Sequence, residues 1–293
     1  MVAEKFRDHF DFFIICDKRA RRNDKKRLGS FSLSIHFQLY CLAHMYRNKK
    51  ISLVMPCLNE EKGLPQIARD LPAWIDQVIV VDNNSTDNTA AVARSFGWTV
   101  IPETRRGYGR AYKTGLAAAT GDVIVTMDGD GTYPRNFIPI LLDVMLEEEI
   151  DFISCDRTGH KDRPSSFLRI LGNDILNLFI WLIYWFRIHD SQSGMWVFKR
   201  ELLARMNLTS DTMAFSEEIK LEAFTLPGVH ARELVIYYKE RHGESKLNIW
   251  RDGFANLMFL FKKRFGMLGK AEPLIANDWR LEARDLEIEN QKS

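Results

Sequence analysis

Between residues 51 and 154 this chain alternates short apolar runs with longer helix-compatible stretches, and few folds accept that pattern. Residues 51–55, 77–81, 98–101, 122–127 and 151–154 read as strands, most of them without polar alternation, while residues 60–71, 88–96, 108–119 and 134–148 carry helical spacing. Strands that lack a polar face are covered on both sides, and connections of this length suit crossover helices rather than hairpins. The expectation is an α/β fold of nucleotide-binding type, with a mostly parallel central sheet and helices on both faces. With 293 residues, the chain has room for one large core or two modest ones.

Outside that stretch the pattern loosens. Residues 157–166 are polar and loop-like, 167–186 form a strongly apolar helical stretch, and 196–198, 216–224 and 231–239 read as strand, helix and strand. Residues 1–49 are basic and aromatic without clear periodicity. We therefore expect an N-terminal extension over 1–49, one α/β domain over 50–250, and a helical tail over 251–293 that ends charged.

A composition of 46% hydrophobic and 27% charged residues is that of a folded protein, and a net charge of +2 gives no reason to expect a nucleic-acid partner. Cys16, Cys41, Cys57 and Cys155 show no C-x-x-C spacing, which argues against a zinc site or a disulfide framework and fits a reducing cytoplasm. A bilayer span needs roughly 18–20 apolar residues; the nearest run, LFIWLIYWF at 178–186, is about half that, so any membrane contact is expected to be peripheral, from the cytoplasmic side.

The chemistry concentrates at strand ends. Asp128-Gly129-Asp130 follows the apolar run VIVTM, and two carboxylates one residue apart can hold Mg²⁺ or Mn²⁺ from one side, leaving the other face to substrate phosphates. In an open α/β sheet, ligands bind at the carboxyl ends of strands. Taken alone, the same triplet is equally an ordinary turn. Asp82, with the polar residues after it, and Pro56-Cys57-Leu58-Asn59-Glu60 lie at equivalent edges; both suit a nucleoside and both suit capped turns. RRGYGR at 105–110 puts glycines and guanidinium groups at a helix start, where phosphate oxygens bind, or forms a solvated basic turn. Arg157, Arg163 and Arg169 border the apolar helix, as an amphiphile with a phosphate head would require, or as surface arginines beside a core helix would look.

In order and spacing, ISLVMPCLNEE, VIVVDNNSTDNT, RRGYGRAYKTGL, GDVIVTMDGDGTYP, CDRTG, HDSQSGMWVF and RHGESK resemble a family 2 glycosyltransferase with the GT-A fold, and more narrowly the dolichyl- or polyprenyl-phosphate sugar synthases. The resemblance covers about residues 51–250. It implies a Rossmann-like nucleotide-diphospho-sugar transferase that moves a hexose from a UDP-sugar or GDP-mannose to a lipid phosphate with inversion. It further implies that Pro56, Asn59, Glu60 and Asp82 surround the base and ribose, that Arg106 and Lys113 sit near the diphosphate, and that Asp128, Gly129 and Asp130 form the metal turn. Arg157, Arg169 and Asn173 would cradle the lipid phosphate, Ser193 and Gly194 would shape the sugar pocket, and Arg241 with Lys246 would clamp the phosphates.

A phosphate acceptor needs no strong base; Asp190, Glu217 and Glu218 are the candidates if one exists. Relatives often carry alanine and glutamine where this chain has Gly129 and Thr132, and D-G-D-G-T-Y segments occur among archaeal lipid-phosphate transferases. The competing expectations are a family 2 enzyme with a soluble or polysaccharide acceptor, and a non-catalytic membrane-associated subunit that keeps only the fold.

Overall fold

The sheet is built from β1 (Ile51–Cys57), β2 (Gln77–Asp82), β3 (Thr99–Pro102), β4 (Val123–Thr126), β5 (Phe152–Asp156), β6 (Trp196–Lys199) and β7 (Ala231–Val235). The helices are α1 (Leu64–Asp70), α2 (Thr89–Ser95), α3 (Tyr108–Ala118), α4 (Ile138–Glu147), α5 (Phe167–Tyr184), α6 (Phe215–Thr225) and α7 (Ile249–Arg264). This is a computed structural model that describes residues 46–158, 167–237, 249–271 and 273–275.

The strand order is β3-β2-β1-β4-β6-β5-β7. β1 pairs parallel with β2 and β4, β2 with β3, and β5 with β7; β6 alone among them runs antiparallel, between β4 and β5. That reversal matters for position. An antiparallel strand begins where its neighbours end, so the loop before β6 is delivered to the same edge as the carboxyl ends of β4 and β5.

Alternate residues of each strand serve opposite helical layers. Leu53, Met55, Val80, Val125 and Ile153 pack under α1, α2 and α4, with Leu64, Ile67, Ala93, Leu142 and Met145. Val54, Ile79, Val81, Ile124 and Trp196 pack under α3 and α6, with Tyr112, Leu116, Phe215 and Ile219. A smaller cluster joins α5 to α7 through Leu176, Ile180 and Leu260.

Boundaries shift where side chains capture the backbone. The helix expected from residue 60 starts at Leu64, because the Glu60 N–H donates to Thr89 Oγ1 (2.8 Å) and the Glu61 N–H to Asp87 Oδ2 (3.2 Å), holding a turn there. The helix expected from Pro134 opens as a 3-10 turn, Arg135–Phe137, before α4. The apolar helix ends at Tyr184, where Trp185 adopts φ 64°.

Candidate active site

The carboxyl ends of β1, β2 and β4 converge. Cys57 pairs with Asp82 in register. Burial pushes the Cys57 thiol well above its ordinary value, and the charges of Glu60, Asp128, Asp82 and Asp130 push it further. The charges of Glu60, Asp128, Asp82 and Asp130 thus all act on one thiol at this edge. Asp130 Oδ1 accepts from the Thr132 N–H (3.1 Å) and hydroxyl (2.6 Å), and Asp128 Oδ1 accepts from the Tyr108 hydroxyl (3.1 Å). Arg135, itself buried, donates to the Gly131 and Tyr133 carbonyls and to Asp70, fixing the turn from below. A Cβ on Gly129 would lie 2.4 Å from Cys57 Sγ, and one on Gly194 would lie 2.4 Å from the Tyr108 oxygen and 2.9 Å from Asp128 Oδ1. Glycine at both positions permits backbone to approach where no side chain fits.

Asn59, at φ 56°, ties β1 to the loop after β2: its side-chain oxygen accepts from the Thr86 N–H (2.8 Å), and its N–H donates to Ser85 Oγ (3.0 Å). Asp82 Oδ1 accepts from the Ser85 N–H (3.0 Å). Buried Asn83 donates to the Glu103 and Arg105 carbonyls and accepts from the Gly107 N–H (2.8 Å), so it sets the turn that opens α3. Within RRGYGR the guanidinium groups separate. Arg105 and Arg110 pair with buried Glu103, whereas exposed Arg106 forms no ion pair among the described residues.

The other half of the edge is built around Asp190. Its carboxylate, 1% exposed, takes Arg157 Nε (2.7 Å), Nη2 (2.9 Å) and backbone N–H (3.1 Å). Burial acts to raise this carboxyl, but the charge and hydrogen bonds of Arg157, aided by Lys220, hold it down at about 2. Gly194, further along the same loop, donates its N–H to Tyr133 (2.7 Å) and accepts from Tyr112 and Thr126. Asn173 on α5 donates to the His189 carbonyl (3.2 Å) and accepts from the Ser191 hydroxyl (3.0 Å). Fully buried Glu217 takes Gln192 Nε2 (3.3 Å) on one oxygen, finds no partner for the other, and is pushed well above the usual carboxylate range by burial. Glu218 accepts from Thr209, Ser210 and Lys263.

Comparison with known proteins decides the family. Residues 52–206 match the model for glycosyl transferase family 2. The chain belongs to that family. The dolichyl-phosphate hexose transferase of Haloferax volcanii is 31% identical over 213 residues, 72% of this chain and 92% of that protein. The low-salt glycan biosynthesis hexosyltransferase Agl6 of the same organism is 31% identical over 229 residues; the match takes 75% of this chain but spans only 55% of Agl6. In fold, this family 2 chain is similar to glucosyl-3-phosphoglycerate synthase from Mycobacterium tuberculosis, crystallised with Mn²⁺, uridine diphosphate and phosphoglyceric acid. The TM-score is 0.62 at 20% identity, covering 75% of this chain and 80% of the other. The architecture is GT-A.

Asp128 and Asp130 on this edge of the family 2 chain are partly exposed carboxylates, the kind of oxygen donor that suits a hard divalent cation. No third His, Cys, Asp or Glu joins them in a metal-holding group among the described residues, which leaves the remaining positions to water or phosphate oxygens. Pro56, Asn59, Glu60, Asp82, Gly129 and Gly194 all lie on this edge, and Arg157 lies at the neighbouring β5 end.

Lys113, expected near the diphosphate, has partners of its own in this structure. Its Nζ pairs with Asp211 (2.5 Å) and donates to the Thr209 carbonyl (3.2 Å), because it sits beyond the first turn of α3 and faces the loop before α6. Of the candidate bases, Asp190 is held by Arg157 and Glu218 by several donors. The Arg169 side chain, Arg163, Arg241 and Lys246 lie outside the described residues. Sequence reasoning missed Asn83, Glu103, Tyr108, Tyr133 and Arg135. Of these, only Asn83 carried a signal, as a polar residue directly after a buried strand.

Proposed function

We propose that this chain is an inverting, metal-dependent hexosyltransferase that moves a sugar from a UDP-sugar or GDP-mannose to a dolichyl or polyprenyl phosphate. The observation that carries this reading is the setting of Arg157. Its guanidinium is fixed to a buried carboxylate of the loop that carries Gly194, and Asn173 and Asn177 of the helix with an apolar outer stripe hold the same loop. A pre-set guanidinium is suited to a phosphate. The name of the dolichyl-phosphate hexose transferase supports the same acceptor class.

In this reading Pro56, Asn59, Glu60 and Asp82 surround the nucleoside, Arg106 reaches the diphosphate, and Asp128 and Asp130 hold Mg²⁺ or Mn²⁺. Ser193 and Gly194 border the sugar. Arg157, Arg169 and Asn173 serve the lipid phosphate, and Arg241 with Lys246 the phosphates of the donor. Bound there, the cation neutralises charge on the departing diphosphate. A phosphate monoester has a second pKa of about 6 and arrives as an anion at neutral pH. Its oxygen displaces the nucleotide diphosphate at the anomeric carbon from the opposite face, so an α-linked donor gives a β-linked product.

The state of the three candidate bases fits an acceptor that needs none. Asp190 is held at about 2 by Arg157, Glu218 is occupied by its donors, and burial pushes Glu217 well above the usual carboxylate range. A sugar hydroxyl acceptor would require one of them to take its proton.

We place the protein peripherally on the cytoplasmic face of a membrane, with residues 50–250 as the transferase domain between the segments 1–49 and 251–293. No helix among the described residues is long and apolar enough to cross a bilayer. Leu171, Ile175, Leu178, Leu182 and Trp185 instead form an exposed stripe on and just past α5, with Phe254 and Met258 exposed on α7 and the basic residues Arg187, Lys262 and Arg264 beside them.

The decisive experiment incubates the purified full chain with radiolabelled UDP-glucose, UDP-GlcNAc or GDP-mannose and a polyprenyl phosphate. Organic-extractable, β-linked label that requires Mn²⁺ or Mg²⁺ is expected, and Asp130→Asn should reduce it by about a hundred-fold or more. No label with any donor, or an α-linked product, overturns the proposal.

A further inference from the structure

Arg157 extends from the end of β5, yet the elements around it decide where its guanidinium lies. Asp190, which holds it, is itself gripped at both ends of its backbone. Its N–H donates to Glu233 Oε1 on β7 (3.0 Å), alongside the His189 N–H to Glu233 Oε2 (2.7 Å). Its carbonyl accepts from Lys220 Nζ (2.7 Å), which arrives through the core from α6.

Lys220 is only 1% exposed, with its ammonium 5.9 Å from the centre of the Trp196 ring. Burying an ammonium is expensive, and an apolar side chain of similar size fills such a space at lower cost. A buried lysine that spends its hydrogen bond on one backbone carbonyl is therefore placed for position rather than stability.

We propose that Lys220 is a positioning residue for acceptor recognition: it fixes the backbone of Asp190 and, through Asp190, the plane of the Arg157 guanidinium. The inference rests on the reading above, in which Arg157 serves the acceptor phosphate.

The electrostatics support this geometry. The groups facing Lys220 are Asp190 in the loop before β6, Glu233 on β7, Arg157 and Cys155 at the end of β5, and Glu217 on its own helix. Burial lowers the ammonium to about 8, against the pull of Asp190 and Glu233. Below that pH its charge holds Asp190; above it a neutral amine remains, and the grip slackens. Acceptor affinity should accordingly fall as pH rises through about 8.

The test measures KM for polyprenyl phosphate and for the nucleotide sugar separately in wild type, Lys220→Met and Lys220→Arg, from pH 7 to 9. Lys220→Met should raise the acceptor KM about ten-fold, since small misplacements of a binding group are costly. It should leave the donor KM and Mn²⁺-dependent UDP binding within about two-fold of wild type. Lys220→Arg should recover part of the loss, and the rise of acceptor KM above pH 8 should disappear in Lys220→Met.

An unchanged acceptor KM, or donor and acceptor KM rising together, overturns the proposal. Should Lys220→Met fail to fold, a wild-type acceptor KM that is flat from pH 7 to 9 overturns it equally. A wild-type chain inactive with every polyprenyl phosphate defeats the acceptor assignment instead. Positioning is then read from ¹⁵N-arginine spectra: the Arg157 Nε–H should be protected from solvent exchange in wild type, lose about ten-fold of that protection in Lys220→Met and less in Lys220→Arg, and equal exchange in wild type and both variants refutes the role of Lys220.

Discussion

The two halves of the sheet's carboxyl edge are positioned by opposite means. On the β1–β2–β4 side, short polar side chains such as Asn59, Asp82 and Asn83 bind the backbone of neighbouring loops, and Gly129 and Gly194 let main chains touch. On the β5–β6 side the same precision depends on buried charge: Arg157, Asp190 and Lys220, with Glu233 behind them. A hydrogen bond from a short side chain to a turn's backbone is modest in energy. A buried ion group must overcome desolvation, so it holds only while every member is present.

Removing Asp190 should expose that difference most strongly. Asp190→Ala strands Arg157 and Lys220 in a poorly solvated site, and breaking such a group costs roughly 3–5 kcal/mol. Asp82→Ala, which loses one exposed turn contact, should cost about 1 kcal/mol or less. Urea midpoints of the two variants measure both values; equal losses would erase the distinction.

Acid should separate the halves again. The Asp190 carboxyl sits at about 2 against an ordinary 3.8, so its contribution is present above 3.8 and is lost as pH falls from there toward 2. The loss is about 2 kcal/mol. Asp190→Asn should lack that part of the wild-type acid sensitivity.

What the sequence made legible follows the same division. Four of the five expected strands and the Asp128 turn announce themselves through local pattern, apolar runs closed by turn residues, while β3 is a half-exposed edge strand. The family resemblance then located the site edge. Asn83 gave only its place after a buried strand, and Arg135 was invisible because its partners are distant in sequence or are backbone atoms. It pairs, for example, with Asp70 on α1. Asp190 was noticed as one of three candidate bases, but its pairing with Arg157, 33 residues away, has no local signature in the sequence.

Gly194 is the sharper test of the donor half. An added Cβ would meet the Tyr108 hydroxyl and Asp128 Oδ1 at distances no real contact tolerates. Gly194→Ala should lower kcat/KM by about a hundred-fold, through displacement of Asp128 rather than loss of fold. Combining it with Tyr108→Phe removes the nearer obstruction and should restore part of the activity. Full activity in Gly194→Ala would mean that the donor edge does not depend on close backbone approach.

The smallest effect belongs to Lys113, and it decides which cation serves the diphosphate. A lysine within a basic glycine turn and helix looks like a phosphate ligand, but Asp211 and the Thr209 carbonyl occupy it. Glu103 takes Arg105 and Arg110 in the same way, which leaves exposed Arg106 as the cation of that turn directed to solvent. Lys113→Met should therefore change donor KM less than two-fold and cost about 1 kcal/mol or less, as a partly exposed pair does. Arg106→Met should raise donor KM several-fold with no loss of stability. The reverse pattern in steady-state kinetics would require Lys113 to leave Asp211 when the nucleotide binds, and would make the donor half of the edge, too, dependent on an ion pair.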